Sequence, residues 1–328
     1  MRSTYVPRLG RSVSAIGLGC WQLGADWGDV DEDRSFAILE AAANAGTTFF
    51  DTADVYGDGL SERTVGAFIA SRNDSDSMTV ATKMGRRANP HVASEYTLDN
   101  FRRWTDRSRE NLGVATLDLV QLHCPPPEVL KDPATYDSLR QLIADGAIGR
   151  FGVSVETCQE AMDALSAPDL ASIQIIINVF RRKPLERVVN AAAEAGVGII
   201  ARVPLASGLL SGRYDETTTF AENDHRTYNR AGAAFDIGET FAGVPFEVGV
   251  RAARQVATLT PNKWTTAQLA LRWIEQQGVA TVIPGARTPE QARDNAAVGE
   301  LPPLDDKTMA ELSQIYNREI RDYVHARW

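Results

Sequence analysis

Short apolar runs rich in β-branched or aromatic residues alternate with amphipathic stretches along nearly the whole chain, and this alternation constrains the fold more than any other feature. The runs fall at 13–20, 47–52, 78–84, 117–123, 150–155, 172–179, 197–203 and 280–284. The stretches between them read as helices with recognisable ends. "DEDRSFAILEAAANAG" opens on acids and closes on Gly46, and "TLDNFRRWTDRSRENLG" and "DPATYDSLRQLIADG" close on Gly113 and Gly146. Acids favour a helix N-terminus, and glycine suits the position just past its C-terminus. Eight strand candidates with helices between them predict an α/β protein, a single-domain (β/α)8 TIM barrel over residues 1–328. An open doubly wound sheet is the competing arrangement. The stretch 206–245, after the seventh strand, is long, polar and glycine-rich without clear periodicity, so it is expected to be a long loop.

Composition narrows the function. The 328 residues carry a formal net charge of -9, which argues against nonspecific nucleic-acid binding. No apolar run is long enough to suggest a membrane span, and the first residues have no apolar signal core. Cys20, Cys124 and Cys158 form neither a CxxC pair nor an even framework, which reads as reduced thiols in a cytoplasmic protein. "GLGCWQLG" places Gly17 and Gly19 in a GxG, but Gln22 stands where a dinucleotide fingerprint needs its third glycine.

Barrel chemistry sits where strands end. Asp51 closes the second run, with Tyr56 in the loop that follows; Lys83 lies in "VATKMG" and His123 in "LDLVQLHCPP". Each ends an apolar run with a titratable group, and their combination has a chemical logic. A phenol titrates too high to work easily near neutrality, and a neighbouring ammonium favours its phenolate. Asp51 would hold Lys83 charged, and a histidine at the rim can donate to a carbonyl oxygen and orient it. The histidines have no metal-ligand spacing, so no metal is expected.

These residues lie in motifs that resemble the aldo-keto reductase family: "GTTFFDTADVYGDGLSE", "VATKMG", "LDLVQLHCPP", "GRFGVSVE", "RVPLASGLLSG" and "VIPGARTPEQARDNAAV", in family order. The resemblance implies a (β/α)8 fold, NADPH/NADP+ as cofactor, and reduction of small-molecule aldehydes or ketones, or the reverse oxidation. It also implies a catalytic tetrad of Asp51, Tyr56, Lys83 and His123, with Tyr56 as proton donor. For the cofactor it implies Ser154 and Gln174 at the nicotinamide carboxamide. "LASGLLSG" resembles the pyrophosphate belt, with Leu205, Ser207, Gly208, Leu210 and Gly212. Gly285, Arg287, Thr288, Gln291 and Asn295 resemble the adenosine end, with Arg287 meeting the 2′-phosphate. Two positions depart from the pattern. Val155 stands where the family has Asn, with Asn178 further along the sixth strand, and Arg202 stands where an aromatic ring stacks on the nicotinamide. Arg202 would stack instead, or contact the pyrophosphate or substrate. Trp21 and Trp27 are expected in the substrate pocket, and Trp104 in the core.

Two rival functions share this fold. One is a non-catalytic, cofactor-sensing regulatory subunit similar to potassium-channel β subunits. The other is a lyase using Lys83 as a Schiff base, which would need a depressed lysine pKa.

Overall fold

The computed structural model describes residues 1–24 and 31–328. Its chain begins with an antiparallel hairpin, β1 (Ser3–Val6) and β2 (Arg11–Ser14). Eight strands then form one parallel sheet: β3 (Leu18–Gly19), β4 (Phe49–Asp51), β5 (Thr79–Met84), β6 (Leu117–His123), β7 (Ile148–Ser154), β8 (Ser172–Ile176), β9 (Gly198–Arg202) and β10 (Thr281–Val282). They pair in chain order, and parallel bridges Ile16–Val282 and Gly19–Gly285 bring the last strand back to the first. The sheet is therefore a closed (β/α)8 barrel, and the doubly wound alternative does not hold.

The run 13–20 is not one strand. It divides into the end of the hairpin and the short barrel strand β3. Ser14 explains the break, because its hydroxyl donates to the Ile16 carbonyl at 2.8 Å and turns the chain between the two pairings. The sixth run also stops early, at Ile176. Asn178 ties down the backbone that follows, donating to Val203 O at 2.9 Å and accepting from Phe180 N at 2.8 Å.

Helices cover the barrel where the patterning places them. Glu32–Asn44 is capped by Asp31, Leu98–Leu112 by Thr97 and Pro133–Ala144 by Asp132. Thr157 with Glu160 and Thr265 with Gln268 close reciprocal capping boxes on Cys158–Ala164 and Thr266–Glu275. The core has two compartments. Phe49, Ala81, Leu119, Ala171 and Ile200 pack in one cluster with the hairpin's Val6 and Val13, and Ile283 carries that cluster up to the cleft described below. A larger layer lies between strands and helices, and includes Phe50, Phe68, Phe151 and Trp273. Trp104 packs against that layer, half-buried. No described helix is long and apolar enough to cross a membrane.

Residues 206–245 are more ordered than their composition suggests. Short turns of helix at Ala206–Ser211, His225–Tyr228, Ile237–Glu239 and Phe241–Gly243 fold the segment onto the barrel rim.

Candidate active site

The ends of β4, β5 and β6 bring Asp51, Lys83 and His123 to one place, and the loop after β4 returns Tyr56 to it. Lys83 is fully buried, with its Nζ 2.6 Å from Asp51 Oδ2, 2.8 Å from the Thr52 carbonyl and 3.3 Å from Tyr56 Oη. Gln174 and Gln121 donate to the other Asp51 oxygen at 2.7 and 3.3 Å. Both carboxylate oxygens are thus engaged, by three donors in all, and the ammonium is fixed by three oxygens. The His123 ring meets the Tyr56 ring edge-on at 6.0 Å, and Trp21 stacks with Tyr56 at 5.9 Å.

The electrostatics follow from burial. Burial works against the Lys83 ammonium, but Asp51 and Tyr56 outweigh it and hold the lysine above its ordinary pKa. Desolvation pushes Tyr56 up to about 12, against the lowering influence of Lys83. This corrects the sequence-based expectation: Lys83 opposes the rise, yet in this state Tyr56 is a firm phenol because desolvation is the larger effect. His123 lies well below the usual histidine range, through burial and then the charges of Arg86, Lys83 and Arg202. It is a neutral imidazole whose Nδ1 is buried without a hydrogen-bond partner.

Of the acids around Tyr56, only Asp51 belongs to this group. Asp58 is exposed and paired with Arg87 and Arg107. Asp54 is 1% exposed with neither carboxylate oxygen hydrogen-bonded. Burial, and then the nearby Glu62, push its pKa up to about 7.

Tyr56, Asp51 and His123 line a cleft of about 580 Å³. Gln174, Arg202, Leu205, Ser207 and Gly208 line it too, and it continues to Gly285, Arg287, Gln291 and Asn295. Lys83 is buried behind this lining, and four of the expected cofactor residues stand off it too. Ser154 is buried behind it, with Oγ 3.8 Å from Cys124 Sγ. Leu210 is core, and Gly212 ends a helical turn at φ 71°. Thr288 spends its hydroxyl capping the helix Pro289–Ala297, accepting from Gln291 N at 3.2 Å. Ser207 also has a structural partner set: its hydroxyl donates to Glu239 O at 3.2 Å and accepts from Phe241 N at 3.0 Å. Arg287 is exposed, and its backbone N–H donates to Gln291 Oε1 at 2.8 Å. Asn295 donates to Gly285 O at 3.3 Å. Trp21 lines the cleft, while Trp27 lies outside the described residues.

The backbone beside the cleft is strained. Val203, Ala206 and Ser207 hold φ of 51°, 48° and 54°. That is costly for a non-glycine residue, most of all for β-branched Val203.

Sequence reasoning missed a charged cluster at the rim. Arg202 Nη2 donates to the Val155 carbonyl at 3.1 Å and lies 2.9 Å from Glu156 Oε2. Glu239, from the long segment, pairs with Arg86 at 2.9 Å and approaches Arg202 at 3.9 Å. Cys124 Sγ and one oxygen from each glutamate converge within 4.8 Å, and the positive charge they face comes from the two guanidiniums. Burial raises the Glu156 pKa, while Arg86 and Arg202 pull Glu239 down despite its burial. Glu156 was visible at a strand end, in "GRFGVSVE". Glu239 lies in the aperiodic stretch, where no pattern singles it out.

A parallel eight-stranded barrel whose strand ends gather Asp, Tyr, Lys and His around one long cleft defines a class of barrel oxidoreductase. The Aldo/keto reductase family model matches residues 15–317, and the chain belongs to that family. It is 28% identical to "Aldo-keto reductase YhdN" of Bacillus subtilis, covering 99% of this chain and 96% of that one. It is 27% identical to "Aldo-keto reductase yakc [NADP(+)]" of Schizosaccharomyces pombe, over 92% and 88% of the two chains. Among solved structures, the glycerol dehydrogenase AKR11B4 from Gluconobacter oxydans superposes with a TM-score of 0.80 at 26% identity, over 97% and 96% of the two chains.

Proposed function

We propose that this protein is an NADPH-dependent reductase of small aldehydes or ketones, working also in the oxidative direction, with Tyr56 as the proton donor. The observation that carries the reading is the contact of Tyr56 Oη with a buried lysine that is itself fixed by Asp51. The cleft suits an extended, anionic dinucleotide. It joins the tetrad to exposed Arg287, and two buried polar atoms at the tetrad end, His123 Nδ1 and Arg202 Nε, have no hydrogen-bond partner. The NADP(+) in the name of the Schizosaccharomyces pombe relative agrees with this choice.

Bound in the cleft, NADPH would supply the hydride. A substrate carbonyl oxygen would accept hydrogen bonds from Tyr56 and from neutral His123, which together orient it. As that oxygen becomes negative, Tyr56 gives up its proton, and Lys83 stabilises the phenolate left behind. Asp51 keeps Lys83 charged throughout. Gln174 and Arg202 would line the nicotinamide end, the belt from Leu205 to Gly212 would follow the pyrophosphate, and Arg287, Gln291 and Asn295 would hold the adenosine end. Trp21 would form one wall of the substrate pocket.

The Schiff-base reading is disfavoured by Lys83 itself, whose raised pKa keeps the amine protonated and non-nucleophilic. A regulatory, non-catalytic role has no observation that favours it. The test is NADPH consumption against a panel of aldehydes and ketones, with the alcohols and NADP+ in parallel. Absence of turnover in either direction across the panel, with NADPH shown to bind, would sink the enzymatic reading.

A further inference from the structure

Arg202 brings a full positive charge into the wall of the cleft that also holds Tyr56, His123 and Gln174. It is only 8% exposed, its Nη2 is committed to Val155 O and Glu156, and its Nε is buried without a partner. The nearest counter-charge is Glu156, at 2.9 Å; Glu239 is 3.9 Å away and lies closer to Arg86, at 2.9 Å. On the cofactor reading given above, this guanidinium faces a ring whose charge changes during the reaction. Reduced nicotinamide is neutral, whereas oxidised nicotinamide is a cation. A bare guanidinium in a water-poor wall would repel the cation and leave the neutral ring unaffected.

We propose that Glu156 is the counter-charge that lets Arg202 stand beside the nicotinamide, and that the Glu156–Arg202 pair sets how tightly the protein holds NADP+ relative to NADPH. Glu156 acts through Arg202 and is a positioning residue. Its oxygen on Arg202 fixes the guanidinium plane, and its charge cancels the guanidinium's field at the ring. Glu239 lies 3.9 Å from Arg202 and shares its charge with Arg86 at 2.9 Å, so Glu156 makes the closer contact. The pair thus bears on the step at which oxidised cofactor leaves: with Glu156 ionised NADP+ is held more tightly, and without that charge it is held more loosely.

The experiment compares dissociation constants for NADPH and NADP+ by fluorescence titration of the full chain, on the alkaline side where Glu156 is ionised. Glu156→Gln keeps the side chain's size and hydrogen-bonding oxygen but removes its charge. It is expected to weaken NADP+ about tenfold more than NADPH, the scale of one partly screened charge pair. Arg202→Gln is expected to move the ratio the other way, tightening NADP+ relative to NADPH, and the double variant to return it towards the parent value. The opposite signs separate the proposal from general damage to the site, which would weaken both nucleotides alike. Equal changes in the two constants, or ratios moving in the same direction in both single variants, would overturn it. If Glu156→Gln does not fold, the sign of the Arg202→Gln shift decides alone. Failure of the parent protein to bind either nucleotide would instead overturn the cofactor reading on which the proposal rests.

Discussion

Tyr56 keeps its proton because desolvation of the phenolate outweighs the pull of Lys83, and that is the state a proton donor needs before the reaction begins. Tyr56→Phe should therefore leave NADPH binding intact and lower carbonyl turnover by about 10²-fold or more, the usual range for loss of a general acid. Steady-state rates beside a cofactor titration measure both, and near-normal turnover in the folded variant would remove Tyr56 from its role. Asp54 gives a prediction independent of activity. Its folded pKa of about 7 lies above that of an unfolded aspartate, so the native state holds the extra proton between about pH 4 and 7. Stability consequently falls as pH rises through that window and is level above it. Asp54→Asn should raise the melting temperature at alkaline pH, by on the order of 2–4 kcal/mol of stability, and the gain should vanish near pH 4. A gain independent of pH would show that the carboxyl is not the cause. The tetrad was legible in the sequence because each member sits at or just beyond the end of an apolar run. The state of Asp54 was not: it follows the run that Asp51 closes, and only the fold shows it buried with neither carboxylate oxygen hydrogen-bonded.

At the scale of the element, strand and helix periodicity gave the barrel its parts, and the closing glycines Gly46, Gly113 and Gly146 all take the positive φ that ends a helix. The hairpin was missed but for its last two residues, which were joined to the first run because apolar alternation continues from Val13 to Leu18 across a turn that only the Ser14 hydroxyl marks. The segment 206–245 carried no period because its order comes from side chains bonding to distant backbone. Asn229, fully buried, accepts from Ala234 N at 2.9 Å and Phe235 N at 3.0 Å and donates to Thr240 Oγ1 at 3.0 Å. Asn229→Ala would strand those partners at a local cost of about 1–3 kcal/mol. Proteolytic cutting between 206 and 245 should then speed up, while the barrel melts at nearly the parent temperature. In the parent protein, saturating NADPH should slow the same cutting, since the cleft is lined from this segment by Ser207, Arg226 and Glu239. Equal cleavage with and without nucleotide would count against a segment that closes over the cofactor.

On the scale of the whole molecule, the chain carries a net charge of -9, yet its cleft gathers Arg202, Arg213, Arg226 and Arg287. The same lining holds Asp51, Glu239 and Asp294, and Arg202 and Arg226 are ion-paired, so the positive excess that meets a polyanion is small and sits towards Arg213 and Arg287. Among the described residues the Arg287 side chain has no ion-pair partner, so it is available to a phosphate. Arg287→Ala should weaken NADPH about 10- to 150-fold, the worth of a charge-assisted hydrogen bond, and leave NADH nearly unchanged. Titration of both nucleotides against both proteins measures this, and equal losses would show that Arg287 does not read the phosphate. The sequence placed Arg287 beside a helix start but could not show that its cleft is continuous with the tetrad, because that continuity depends on how β9 and β10 lie side by side.

The barrel's circumference has a seam. Strands β6 and β7 pair along their length from Leu117–Ile148 to His123–Ser154, whereas the join between the last strand and the first rests on two isolated bridges. The amides of Gly17 and Gly19 hold that join, donating to Val282 O at 2.8 Å and Pro284 O at 3.0 Å. The pairings on either side, β3–β4 and β9–β10, are also only two residues long, so this weld lies in the thin arc of the hoop, and these two amides should exchange with solvent sooner than that of Val153. Gly285 forms part of the weld and lines the cofactor cleft as well. A nucleotide seated there would bridge the gap like a rivet, so protection of Gly17 and Gly19 on NADPH binding would be the mark of a barrel whose ligand also completes its ring.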